Sequence, residues 1–370
     1  MRPSVADVSR FTGFRIAVGA AFLAAFGFAF SGSVGSVPRA SASSAPKQAT
    51  TLFSVKKRLS FGNYGPDPNI VAINGRSIFL TGTFDLGNKS VADLVRVDRR
   101  TFTVSARTRL PNITSVAYGD HALWWATGAP GPPNASNAPT PPQGRMLFKV
   151  NPTNLKVSAR FRLPGPTLLV AVAQGNVWVA TPTELIRLNA NTGAIIAKSA
   201  LGLYPVALAP SYNGAWLYVL GYLPGDHLKL ADYSSVSGSA LDSREYPNFS
   251  IGPLAVARSG VWIPVQSTKT QSTTEQLFTG RRLTSSSSLG TFTFDTEGYV
   301  AGNTLWLIDT GGRGPTVCAN PTNGAPRAKG GPVGVENGAM AFDGGSTYLL
   351  RNIGVNDSLL EIDPSSKCTT

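Results

Sequence analysis

Hydrophobic and polar positions alternate every second residue over short stretches of this chain, and the same alternation recurs along its length. Leu94-Val95-Arg96-Val97-Asp98, Leu147-Phe148-Lys149-Val150-Asn151-Pro152, Leu185-Ile186-Arg187-Leu188-Asn189 and Leu359-Leu360-Glu361-Ile362-Asp363-Pro364 are versions of one run that stops at an Asx or turn residue. A period of two marks half-buried strands. A further run of alternating basic and apolar residues follows, as in Thr103 to Leu110 and Leu155 to Leu163. Two of these share an octapeptide, at 104–111 and 157–164, identical at seven of eight positions.

Upstream of each run lies an apolar-Ala pair and then an aromatic on an apolar stretch. It occurs at Val71-Ala72 with Phe79, Val116-Ala117 with Trp124, Val172-Ala173 with Trp178, Val206-Ala207 with Trp216, Leu254-Ala255 with Trp262, Val300-Ala301 with Trp306 and Met340-Ala341 with Tyr348. The aromatics are 45, 54, 38, 46, 44 and 42 residues apart, and five of the six Trp fall in this slot. Four short strands per unit of about 45 residues is the propeller-blade pattern. The predicted fold is therefore all-β, a seven-bladed β-propeller over 51–370. No helical periodicity separates the strands, which excludes a stack of Rossmann units. The last unit ends after its third strand, and Thr51 to Phe61 is a strand without a unit. The N-terminal strand is thus expected to complete the last blade and remove an open edge.

The phrase Val172-Ala173-Gln174-Gly175-Asn176-Val177-Trp178-Val179-Ala180-Thr181, followed by Leu185-Ile186-Arg187-Leu188-Asn189-Ala190-Asn191-Thr192-Gly193, resembles secreted bacterial seven-bladed propellers of the YVTN and streptogramin-lyase-like type. The resemblance rests on blade-building residues, so it implies a fold and not a chemistry.

Residues 1–42 read as a secretory signal: Arg2, Arg10 and Arg15 precede an uncharged run from Ile16, and Ala40-Ser41-Ala42 offers a cleavage pattern. The alternative is an uncleaved membrane anchor. Residues 43–50 form a linker, and the expected location is secreted or on the exterior of the cell envelope. In that oxidising setting Cys318 and Cys368 are expected to pair, since both lie near the third-strand turn of adjacent units.

Composition narrows the function classes. Only 14% of residues are charged, and two His and two Cys argue against a multi-ligand zinc site or an iron–sulfur centre. No cofactor or metal is expected. The formal charge is +13, and Lys56, Lys57, Arg58, Arg107, Arg109, Arg160, Arg162, Arg327 and Lys329 all fall on predicted outermost strands. Charged outer strands blunt edge pairing. An anionic surface is the alternative reading, while the lack of interleaved exposed aromatics argues against nucleic acid.

Candidate chemistry sits where the repeat is interrupted. The Gly128 to Gly144 insertion holds six prolines in seventeen residues and reads as a disordered loop. Unit five becomes Ser/Thr-rich after Val265, so weak outer strands are expected there. The end carrying the second-to-third-strand loops and the blade-to-blade connections is the expected binding face. Its candidate contacts are Tyr64, Asp67, Tyr204, Tyr246, Asp309, Arg313, Arg351 and Asn352, since aromatic and Arg side chains suit recognition. His121 is read as a turn residue on the opposite end. His227 is the only catalytic candidate, a general base in a lyase or hydrolase, with Glu184 and Glu245 on the same face. The preferred function is a non-catalytic extracellular propeller binding an unknown extracellular ligand or envelope protein. A structural repeat protein of the envelope is the third possibility.

Overall fold

A computed structural model describes residues 52–61, 69–85, 91–109, 113–127, 142–223, 227–247, 249–250, 254–267, 272–279, 283–293, 296–309, 314–331, 336–343, 345–353 and 356–369. The expected signal and linker (1–42, 43–50), most of the Pro-rich insertion, Tyr64, Asp67 and Arg313 lie outside these residues. Among the described residues, consecutive antiparallel strands form seven sheets. Sheet I runs from Asn69 to Thr108, II from Ile113 to Arg162, III from Leu169 to Ala200 and IV from Tyr204 to Pro247. Sheet V runs from Phe249 to Thr293, VI from Thr296 to Lys329, and VII from Glu336 to Pro364.

The first strand among the described residues, Phe53–Ser60, is the outermost strand of sheet VII, paired antiparallel with Asn356–Pro364 from Phe53 opposite Pro364 to Ser60 opposite Ser358. The ends of the described chain thus meet in one sheet, as the incomplete last repeat requires. The outer strands of the Ser/Thr-rich unit, Ser272–Thr279 and Thr284–Thr293, pair along their length with two bulges.

The repeated aromatic explains why the sheets stack. Phe79 packs in the cluster between I and II, Trp124 between II and III, Trp178 between III and IV, and Trp262 between V and VI. Trp306 packs between VI and VII, and Tyr348 between VII and I. Each second strand therefore reaches into the next sheet, and the final one reaches back to the first. All six of these rings are at most 1% exposed. Burying one such ring stabilises by roughly 2–3 kcal/mol relative to exposure, which a lone sheet cannot gain. In most sheets the ring lies opposite a small residue of the innermost strand, such as Ala117 opposite Trp124 and Ala171 opposite Trp178.

Sheet IV departs from the expected alignment. The ring in its slot is Tyr218, 1% exposed, opposite Ala209 and packed towards sheet V; Trp216 lies two residues earlier and is only half-buried. Other first hairpins use two residues, such as Asp120 and His121 in sheet II, both at positive φ. Sheet IV uses five, Ser211 to Ala215, so the nearest Trp is out of phase. The longer turn is closed by its own side chains. The Ser211 hydroxyl donates to Asn213 Oδ1 (2.9 Å) and accepts from the Trp216 N–H (3.1 Å).

The Asx residue at the end of most third strands also has a physical role, which Ser234 takes in sheet IV. Asp98 Oδ1 accepts the backbone N–H groups of Arg100 and Thr101 at 2.9 and 2.8 Å, and Asn189 Oδ1 accepts those of Asn191 and Thr192 at 2.8 and 3.0 Å. These Asx turns reverse the chain into the outermost strand. There Lys56 and Lys57 pair with Asp363 and Glu361, and Arg109 lies 3.9 Å from Asp93.

Cys318 and Cys368 form a disulfide with Cα atoms 5.6 Å apart. Cys318 lies within the third strand of sheet VI, not after it, and Cys368 lies in the terminal turn Ser366–Thr369. The bridge pins the chain terminus across the VI–VII seam, where Thr304 Oγ1 and Arg327 Nη1 donate to the Cys368 carbonyl at 2.8 and 2.9 Å.

Candidate functional site

At the expected binding end, the predicted residues meet different fates. Tyr204 begins the innermost strand of sheet IV, opposite Tyr222, and is 47% exposed. Its backbone is closely held: a Cβ on Gly221 would sit 2.3 Å from the Tyr204 carbonyl oxygen, so only glycine fits there. His227 starts the third strand of the same sheet, opposite Leu223 and Pro247, with its side chain exposed.

Tyr246 is 7% exposed and packs with Tyr218, Leu228, Leu230 and Ile263 between sheets IV and V. Burial raises its hydroxyl well above the ordinary tyrosine range, opposed by Arg244. Asp309 is also buried, ends the second strand of sheet VI and accepts the Gly314 backbone N–H. Arg351 is half-buried opposite Ser358, where desolvation and the charge of Arg58 lower its pKa. Asn352 lies opposite Asp357 in the same sheet. These residues belong to sheets IV, VI and VII: Tyr204, His227 and the buried Tyr246 lie at one end of sheet IV, Asp309 in sheet VI, and Arg351 with Asn352 in sheet VII.

The two carboxylates considered for His227 are engaged elsewhere. Glu184 lies 3.6 Å from Lys198 and Glu245 lies 3.7 Å from Lys229. Among the described residues no three His, Cys, Asp or Glu side chains are grouped to hold a metal ion.

The opposite end holds a feature that the repeat analysis missed. Between sheets IV and V is a recess of about 250 Å³ lined by Ser211, Tyr212, Asn213, Trp216, Tyr218 and the turn Ala257 to Gly260. It opens beside the enlarged hairpin of sheet IV, where sheet V offers only the short inner segment Ala255–Ala257. Tyr212 is 60% exposed, and the Arg258 guanidinium lies 5.0 Å from its ring centroid. The sequence signal was available: three extra turn residues placed Trp216 out of phase with the other repeats.

Behind Tyr218 is a buried carboxyl. Asp232 lies opposite Tyr218 and is fully buried. Its Oδ1 accepts the Asp242 N–H at 2.6 Å, while Oδ2 makes no hydrogen bond. Desolvation pushes its pKa up to about 6, against the hydrogen bond from Asp242. The Tyr218 hydroxyl is raised by burial too, opposed by the adjacent Trp216 indole and reinforced by Asp232.

The architecture is that of a β-propeller, and solved structures similar to it include one described as a β-propeller domain. The β-propeller domain of Cps50 (Swd1) from Myceliophteria thermophila superposes with a TM-score of 0.56 at 11% identity, covering 81% of this chain and 99% of that one. BamB from Moraxella catarrhalis gives 0.51 at 11% identity over 84% and 99%. Hydrazine synthase from Kuenenia stuttgartiensis gives 0.58 at 10% identity over 82% and 96%. At such identities the likeness is one of fold. No family model and no curated protein sequence matches the chain.

Proposed function

We propose that this protein is an extracellular, non-catalytic, seven-bladed β-propeller of the YVTN or streptogramin-lyase-like type. In this reading it is exported by residues 1–42 and binds a ligand or protein partner at the end bearing Tyr204. The observation that carries the reading is the presentation of Tyr204. A large aromatic stands 47% exposed on the innermost strand, on a backbone that Gly221 allows to pack closely. Exposed aromatics on rigid strands are effective anchors, because little side-chain entropy is lost when they are covered. The Cys318–Cys368 disulfide is compatible with an oxidising compartment.

The test is capture of partners from envelope and culture fractions by the exported protein, comparing wild type, Tyr204→Ala and His227→Ala. Tyr204→Ala should weaken capture by about 1 kcal/mol or more, and His227→Ala should leave it within about threefold. Metal-dependent turnover of lactones or cyclic esters that disappears with His227→Ala would overturn the binding reading in favour of an enzyme.

A further inference from the structure

We propose that the recess between sheets IV and V, at the end opposite Tyr204, is a binding site for a small aromatic carboxylate. Its walls supply the ring contacts: Trp216 and Tyr218 from one sheet face the small Ala257 and Gly260 of the next. A volume of about 250 Å³ accommodates one ring with a short substituent and is below the size of drug-like pockets.

The rim supplies the charge preference. Arg258 is exposed, lies over the Tyr212 ring, and makes no ion pair among the described residues. Among the described residues no acidic side chain lines the recess, and the chain as a whole is basic at +13. A guanidinium stacked on an aromatic ring keeps its forked donors free and oriented, the arrangement that accepts a carboxylate bidentately. Ser211 and Asn213 bond to each other and to their own turn, and the Ser259 hydroxyl donates to the Pro321 carbonyl at 3.1 Å. Arg258 is thus the charged group among the described residues that line the recess, and it sets the charge preference.

The repeat itself points the same way. In the other sheets the buried ring of the slot completes the seam, whereas sheet IV adds Trp216 and the exposed Tyr212 beyond what packing needs. Both come with the three-residue enlargement of one hairpin. The carboxylate has two sources with the same chemistry, a free small acid or the C-terminal aromatic residue of a peptide.

The experiment titrates the full chain with N-acetylphenylalanine, its amide, and a short peptide ending in Phe with a free or amidated C-terminus. Binding is followed by tryptophan fluorescence and by chemical shifts. The acid should bind about tenfold or more tightly than the amide, the difference expected for a charge-assisted pair. Arg258→Gln should abolish that preference, and Tyr212→Ala should weaken binding of the acid. Arg258→Lys, which retains the charge but not the fork, should recover part of it. Tyr204→Ala, at the other end, should change nothing, so failure of this site is distinguishable from failure of the proposed mouth. A peptide that binds more tightly than the free acid assigns the peptide as source, and equal binding assigns the small molecule. Equal affinity for acid and amide, an unchanged preference in a folded Arg258→Gln variant, or no binding of any probe would overturn the proposal.

Discussion

Arg99 Nη1 lies 2.7 Å from Asp343 Oδ2, joining sheet I to sheet VII across the seam where the two ends of the repeat array meet. The same guanidinium donates to the Tyr348 hydroxyl at 2.9 Å and to the Gly75 carbonyl at 2.6 Å, and it lies 5.4 Å from the Tyr348 ring centroid. One side chain therefore holds the hairpin of the first sheet against the hairpin of the last. Arg99→Ala should destabilise the fold by on the order of 2 kcal/mol, the usual loss when bonds to a charged group are removed. Arg99→Lys should recover little, because an ammonium cannot reproduce the fork. Denaturant midpoints for the three proteins test this, and an unchanged midpoint for Arg99→Ala would show that the seam does not depend on it.

The assignment of Tyr218 as the seam-filling ring has a direct test. Tyr218→Ala should cost about 3–5 kcal/mol, as a fully buried aromatic does. Trp216→Ala should cost less, on the order of 1 kcal/mol, since that ring lies at the edge of the same cluster and is only partly buried. The opposite order in thermal melts would restore Trp216 to the repeat.

Reduction of Cys318–Cys368 should destabilise the chain by roughly 4 kcal/mol, from the loop-closure entropy of its 50-residue separation. A Cys318→Ser, Cys368→Ser variant should melt lower under non-reducing conditions and become insensitive to reductant. Two titratable thiols in the denatured, unreduced protein would contradict the bridge.

Asp232 makes stability depend on pH in a definite direction. Its carboxyl titrates near 3.8 when unfolded and at about 6 when folded. Between these values the folded state holds a proton that the unfolded state has lost, so stability falls as pH rises through the window. The loss is complete above about 6 and amounts to roughly 3 kcal/mol. Glu361 works in the opposite direction: its pKa is lowered by Lys57 and Ser346 in spite of its own desolvation. The informative quantity is accordingly the difference between wild type and Asp232→Asn. That difference should slope between pH 4 and 6 and flatten above; a flat difference throughout would exclude Asp232 as the source.

The propeller was legible because its constraint recurs from seam to seam: a ring to fill the gap at each, and in most units a small inner-strand residue and an Asx to turn the chain. Phe79, Trp124 and Trp178 announce themselves by spacing alone. The site was less legible because nothing repeats there. Tyr246 and Asp309 resemble loop residues in the sequence, yet alternation along their strands turns them inward. Tyr212 and Arg258 come together only because one hairpin is longer than its neighbours and the next inner segment is short. Their meeting is a product of ring geometry that no single repeat encodes.

The outermost position of Phe53–Ser60 has a consequence for how the molecule is made. Chains emerge N-terminus first, so this strand is synthesised before sheets I to VI and must wait for Asn356–Pro364, which follows all of them. Pairing at such separation is slow, and unpaired edges are exposed meanwhile. A prematurely ended chain retains two unmatched edges, whereas a finished one retains neither at that seam. Closure is thereby written into the surface itself: only a chain that has reached Pro364 can cover the Phe53–Ser60 edge.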